Sequence, residues 1–279
     1  MLPVWLDGHL LDPDDARVPV SDHGLTVGDG VFETLRTAPE PRGGRWVPFA
    51  VTRHLRRLRR SLDGLGLELD RSDDELRDAM HAVAGHIEGA GRVRLTVTGG
   101  PGPLGSARSG EPLTVFVAGS AIDAWPETGE AVTVPWVRNE RSAVAGLKTT
   151  SYAENVVALA RAKESGASEA LFANTAGQLC EGTGSNVFVV LGGRLSTPPL
   201  SSGCLAGVTR ELVCELADVA QDDLPMAVLD EADEVFLTSS TRDVQGQQRV
   251  DGRRLDAPGP ITREVARAFA DLVATDIDP

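Results

Sequence analysis

The run Val187-Phe188-Val189-Val190-Leu191 is the strongest single constraint on the fold. It follows the Gly-rich turn Gly182-Thr183-Gly184 and has no polar position on either side of a pleat, so it reads as a strand buried on both faces. Such a strand needs cover above and below, and the rest of the chain supplies it. Leu55, Leu58, Leu62 and Leu65 recur at three- and four-residue steps and predict a helix over Thr52–Leu65. Ser72-Asp73-Asp74-Glu75 opens a second helix with an acidic first turn, ended by Gly89 to Gly91. Further helices are expected over Ser151–Glu164, Thr209–Asp218 and Thr262–Asp276. Val4–Leu6, Val31-Phe32, Leu113–Val117, Ala131–Val137, Glu169–Phe172 and Glu234–Thr238 read as strands, with Ser21–Gly24 as a loop. Arg92 to Thr98 alternates as a strand with one polar face would.

Strands with helices between and around them point to an α/β (α+β) protein of two domains. The stretch Ala121–Glu130 is poor in apolar residues and carries Pro, Gly and acids, so it is the expected linker. The N-terminal domain would then cover residues 1–122 and the larger C-terminal one 130–279. No internal repeat or low-complexity tract interrupts the pattern.

Charge and cysteine content narrow the function. With 27 basic and 41 acidic residues the net charge is −14, which argues against general nucleic-acid binding. No apolar run approaches the roughly 18 residues that a membrane span requires. The start Met1-Leu2-Pro3-Val4-Trp5-Leu6-Asp7 lacks the basic and apolar regions of a secretion signal. Cys180, Cys204 and Cys214 show no metal-ligand spacing and suit a reduced, cytoplasmic protein. The five histidines show no paired ligand spacing either, so no metal site is expected.

Gly28-Asp29-Gly30 and Gly182-Thr183-Gly184 are short of any dinucleotide or P-loop motif and read as tight turns. Only two lysines exist, Lys148 and Lys163, so any amine chemistry has two side-chain candidates. Lys163 sits in a last helical turn, where a cation complements the dipole. Lys148, in Ala145-Gly146-Leu147-Lys148-Thr149-Thr150-Ser151, has no such role and is either a surface residue or a reactive amine. Glu181, beside a Gly-rich turn that enters a buried strand, is costly there unless paired. The loop Ser201 to Val208 leads into a helix at Thr209, which is either a plain Thr N-cap or an anion site.

Taken together these blocks resemble the class IV pyridoxal-phosphate aminotransferase family, which has fold type IV. The carrying residues are Gly146-Leu147-Lys148, Glu181-Gly182-Thr183-Gly184-Ser185-Asn186 and Leu205-Ala206-Gly207-Val208-Thr209-Arg210. Ser21-Asp22-His23-Gly24, Gly28-Asp29-Gly30-Val31-Phe32-Glu33-Thr34 and His54-Leu55-Arg56-Arg57-Leu58 extend the match upstream. The resemblance implies a two-domain protein with a small N-terminal α/β domain and a β-barrel-like C-terminal domain. It also implies pyridoxal 5'-phosphate between them, a small-molecule substrate and a homodimer.

It further implies a role for each matched residue. Lys148 is similar to the lysine that carries the cofactor, and Glu181 to the acid that keeps the pyridine nitrogen protonated. Arg57 is similar to the arginine on the cofactor phosphate, although by its own helical position it only flanks the Leu stripe. Gly207, Val208, Thr209, Ser240 and Thr241 would add donors to the same phosphate. Arg94, on the polar face of its strand, would bind a substrate carboxylate or serve as a cross-strand structural arginine, and Tyr152 lies on the substrate side. Thr34 stands where lyases of the family commonly have a threonine, which favours an aminodeoxychorismate lyase that yields 4-aminobenzoate and pyruvate in folate biosynthesis. The alternative is an aminotransferase on D- or branched-chain amino acids. A non-catalytic relative is the third reading, disfavoured because no candidate cofactor residue is missing.

Overall fold

The computed structural model describes residues 2–41 and 43–279, and the chain divides into two compact units. The first takes the chain up to Ala124 together with Leu147–Tyr152 and Leu272–Pro279. The second takes Trp125–Gly146 and Ala153–Asp271.

The first unit contains β1 (Val4–Leu6), β2 (His9–Leu11), α1 (His23–Thr26), β3 (Gly30–Pro39), β4 (Trp46–Pro48), α2 (Val51–Leu65), α3 (Asp73–Ala84), β5 (Gly91–Thr98) and β6 (Thr114–Ala121). Its strands form one antiparallel sheet in the order β2-β1-β6-β5-β3-β4. Val31 and Leu35 of β3, with Val93, Leu95 and Val97 of β5, share a core with Leu55, Leu58 and Leu62 of α2. Each such leucine contributes about 2 kcal/mol on burial. That outweighs the few tenths lost to each like-charged pair among the five arginines of α2 (roughly 0.2–0.5 kcal/mol per pair). Ser72 and Glu75 start α3 with a complete capping box.

The second unit contains β7 (Thr128–Arg138), α4 (Ala153–Glu164), β8 (Glu169–Asn174), β9 (Leu179–Gly182), β10 (Asn186–Leu191), β11 (Arg194–Thr197), α5 (Val208–Leu216), β12 (Ala220–Gln221), α6 (Val228–Glu231), β13 (Glu234–Ser239), β14 (Asp243–Val250) and β15 (Arg253–Arg254), with α7 (Pro260–Thr275) entering from it. One mixed sheet runs β12-β11-β10-β13-β14-β7-β8-β9, with β15 beside β14. As expected, Val187 to Val190 are buried, and Phe188 stacks on Phe236 of β13 at 4.7 Å. Leu191 departs from that expectation: it is 42 % exposed, because the strand leaves the core there.

Several element bounds differ from those read in the sequence. Strand β3 is ten residues long rather than two, since its polar residues hide its period. Ser21–Gly24 is not simply a loop: Asp22 caps the short helix α1, accepting from Gly24 N. Helix α3 ends at Ala84 before Gly85, short of Gly89. Helix α5 begins at Val208 with Gly207 as N-cap, so Thr209 is its second residue and not the cap.

Candidate active site

The two faces of β3 carry different chemistry, and the pairing with β5 sorts the residues. Val31, Glu33 and Leu35 stand opposite Val97, Leu95 and Val93 on the core face. Phe32, Thr34 and Arg36 stand opposite Thr96, Arg94 and Arg92 on the other.

Glu33 is therefore a carboxylate on the core side of a sheet, 1 % exposed, and it is paired there. Arg57 of α2 forks onto it, with Nε 2.8 Å from Oε1 and Nη2 2.6 Å from Oε2. His54 Nδ1 lies 2.6 Å from Oε2. Burial alone would raise the Glu33 pKa; the Arg57 charge and hydrogen bonds, with His54 adding to them, outweigh it and hold the carboxyl at about 2. Burial pulls the His54 pKa below its ordinary value, with the Glu33 charge opposing. Arg57 is thus buried on the inner face of α2 and not on a solvated flank as its helical position suggested. The sequence held one sign of this: a charged residue between Val31 and Leu35 in strand period requires a counter-charge, and His54 and Arg57 sit three residues apart on the leucine side.

The opposite face gathers four of the expected site residues. The segment Leu147–Tyr152 pairs with the start of β3: Phe32 N donates to Lys148 O at 3.0 Å, and Thr150 N to Gly30 O at 2.8 Å. Lys148 N donates to Ser61 Oγ of α2 at 3.2 Å. This pairing sets Lys148 Nζ 4.3 Å from the centre of the Phe32 ring. The Arg94 guanidinium lies 3.7 Å from the same ring centre, and the Tyr152 ring meets Phe32 edge-on at 5.4 Å. Thr34 is the direct cross-strand neighbour of Arg94. An amine, a guanidinium, a hydroxyl and two aromatic rings share one sheet face. No role for Phe32 was legible in the sequence, although its ring is what the two cations share.

In the second unit, Glu181 of β9 is paired, as its position demanded. Its Oε2 accepts from Leu205 N at 2.9 Å and its Oε1 from Arg138 Nε at 3.1 Å. Arg138 also bridges Glu154 and lies over the Phe172 ring. The turn after Glu181 is held from below by buried Glu169, which accepts from Thr183 N and Thr183 Oγ1 and, at 2.9 Å, from Ser185 Oγ. Arg242 Nη1 completes the pairing of Glu169 at 3.3 Å. Arg138, Glu169 and Arg242 carry no mark in the sequence, because the side chains that pair with theirs lie 14 residues away or more, beyond any local period.

The start of α5 adjoins this group. Asn186 Nδ2 donates to Leu205 O at 2.8 Å, so both backbone groups of Leu205 are fixed by side chains. A Cβ at Gly207 would collide with Asn186 Oδ1. Gly207 offers no capping side chain to the N–H groups of Val208 and Thr209. Thr238 of β13 stands opposite Asn186 on the same sheet face, and its buried Oγ1 has no hydrogen-bond partner among the described residues. Ser240 and Thr241 follow in the half-buried turn to β14. An uncapped helix start beside an unpaired buried hydroxyl is a donor set that suits a phosphate, and Lys148 and Glu181 suit the aldehyde and ring nitrogen of a pyridoxal. No group of histidine, cysteine and acidic side chains suited to a metal occurs among the described residues.

Comparison with known proteins decides the family. Residues 30–249 match the model of the family described as amino-transferase class IV. The chain belongs to the class IV aminotransferases. It is 29 % identical to the branched-chain-amino-acid aminotransferase of Pseudomonas aeruginosa, over 97 % of this chain and 92 % of that one. The crystal structure of the branched-chain aminotransferase of Thermoproteus uzoniensis with norvaline superposes with a TM-score of 0.90 at 29 % identity, over 98 % of this chain and 95 % of that one. That of Thermobaculum terrenum in its pyridoxal-phosphate form gives 0.86 at 26 %, over 98 % and 94 %. The fold is fold type IV, and the class IV aminotransferase uses pyridoxal 5'-phosphate.

These likenesses overturn the reading as aminodeoxychorismate lyase, and with it the link to folate biosynthesis. Nearly the whole chain matches branched-chain aminotransferases, whereas the lyase reading hung on one side chain, Thr34. In the structure Thr34 is a strand residue opposite Arg94, a place that requires no elimination chemistry.

Proposed function

We propose that this aminotransferase moves the amino group of a branched-chain amino acid to a 2-oxo acid. The observation that carries the reading is the shared Phe32 ring, with Lys148 Nζ at 4.3 Å and Arg94 at 3.7 Å. A reactive amine beside a guanidinium and two aromatic rings suits a substrate with a carboxylate at one end and a hydrocarbon branch at the other. The names of the relatives point the same way.

Bound pyridoxal phosphate supplies an aldehyde for attachment and a ring that accepts the electron pair left at the substrate α-carbon. Lys148 Nζ is the attachment point and the base that takes the α-proton. Arg94 holds the substrate carboxylate, and Phe32 and Tyr152 exclude water from the side-chain branch. Thr34, beside Arg94, helps to orient that carboxylate. Glu181, fixed by Leu205 N and Arg138, holds a proton on the pyridine nitrogen. Arg57 would hold the phosphate, as would the N–H groups of Val208 and Thr209 that follow Gly207. The hydroxyls of Thr209, Ser240 and Thr241 add donors. We also infer a cytoplasmic homodimer, the family's usual assembly, which sedimentation analysis would register as twice the chain mass.

The test is a parallel assay of L-leucine, L-isoleucine, L-valine and D-alanine with 2-oxoglutarate, alongside aminodeoxychorismate alone. Turnover should be fastest with the branched L-amino acids and absent without an oxo acid. Preference for D-alanine, or 4-aminobenzoate formation, would overturn the reading.

A further inference from the structure

Helix α2, which carries Arg57, lacks a good start of its own. Its N-cap is Ala50, in the left-handed region at φ 56°, with no side-chain acceptor to offer. Its first turn holds Arg53 and no acid. Both features are unfavourable, since first-turn N–H groups need acceptors and the positive end of the helix dipole repels cations.

The missing carboxylate comes from the far end of the sequence. Asp278 Oδ1 accepts from Thr52 N at 2.8 Å, and Oδ2 accepts from Thr52 Oγ1 at 2.6 Å. Thr52 is the second residue of α2, whose N–H an aspartate at the N-cap itself would take. Arg77 of α3 closes the arrangement, Nη1 donating to Asp278 Oδ2 at 2.9 Å and Nη2 to Thr52 Oγ1 at 2.7 Å. Ala50 N donates to Ile277 O and Arg53 Nε to Pro279 O, each at 2.8 Å. Asp278 is itself fixed, its N–H donating to Asp276 Oδ1 at 3.0 Å.

We propose that Asp278 is a positioning residue for Arg57, capping α2 in place of Ala50 and so holding the guanidinium in register for the cofactor phosphate. The first intrahelical bond, His54 N to Ala50 O, lies inside the capped turn, and Arg57 follows one turn later. His54 and Arg57 share the two oxygens of Glu33, so a frayed first turn shifts two of the three partners at once. The proposal rests on the reading of Arg57 as the phosphate-holding arginine.

The experiment compares the affinity of wild type, Asp278→Ala, Asp278→Asn and Arg57→Ala for pyridoxal phosphate and for pyridoxal, which lacks the phosphate. Amide hydrogen exchange is followed at Thr52 to His54. Asp278→Ala should weaken pyridoxal phosphate about 5-fold, the usual effect of one lost cap, and leave pyridoxal unchanged. Exchange in the first turn should quicken by a similar factor, and Asp278→Asn, which keeps an acceptor, should recover most of both. Equal losses for the two probes, or unchanged affinity and exchange, would overturn the role of Asp278. If Arg57→Ala fails to separate the two probes, the reading of Arg57 falls, and the proposal with it; if only Asp278→Ala fails to do so, the proposal alone falls. Should Asp278→Ala not fold, Thr52→Val, which removes one of the two contacts of Asp278 with α2, takes its place, and equal losses for the two probes or unchanged affinity and exchange would overturn the role.

Discussion

Substituting Glu33 tests whether the buried ion pair under β3 stabilises the first unit. Its carboxyl, 1 % exposed, is held at about 2 instead of 4.5: burial opposes ionisation, but the Arg57 fork and His54 outweigh it. That difference corresponds to ~3 kcal/mol of stability, present above the unfolded value near 4.5 and lost as the pH falls towards 2. Glu33→Gln removes the charge and also leaves Arg57 buried without its counter-ion, which costs about 3–5 kcal/mol. Urea denaturation at pH 7 should show that loss, with a fall in Tm of roughly 10 °C. The gap between wild type and Glu33→Gln should be constant above pH 4.5 and close as the pH falls towards 2, because protonated Glu33 resembles Gln. A gap below about 1 kcal/mol at pH 7, or one that does not narrow in acid, would refute the reasoning.

Two further outcomes concern the chemistry. Borohydride reduction of the holoenzyme followed by peptide mass analysis should find the cofactor on Lys148; attachment at Lys163 would end the assignment. Glu181→Gln should retain most of the cofactor yet slow turnover by about 10²-fold, roughly 2.7 kcal/mol of barrier, with near wild-type turnover counting against the role.

In the sequence, candidate site residues stood out by blocks and the fold by periods, and both signals failed where neither operates. Leu55, Leu58 and Leu62 revealed α2 because the leucine face is what the core buries. Strand β14 escaped notice because Gln245 and Gln247 are buried amides in a run that reads as polar. Lys148 and Glu181 stood out through residue type and neighbours, but the pairing of Glu181 with Arg138 spans 43 residues and follows no local rule. Thr34 misled for the opposite reason: one side chain was weighed against a pattern that only the whole chain resolves. Asp278 is the extreme case, since an acid near a chain's far end looks like solvated charge until the helix that lacks a cap is set beside it.

The start of α5 shows how stability and function compete at one residue. An Asn, Asp or Ser N-cap would stabilise the helix by roughly a few tenths of a kcal/mol more than glycine does. Gly207 forgoes that, and the structure gives the reason: any Cβ there would strike Asn186 Oδ1. Asn186 cannot simply yield, because its amide holds Leu205 O while Glu181 holds Leu205 N. Leu205, in the loop before the helix, is therefore held at both of its backbone groups by side chains of β9 and β10, and the first-turn N–H groups are left for an acceptor other than a capping side chain. A phosphate there would restore the stabilisation that the glycine gives up, so the same residue that weakens the empty helix start favours the loaded one.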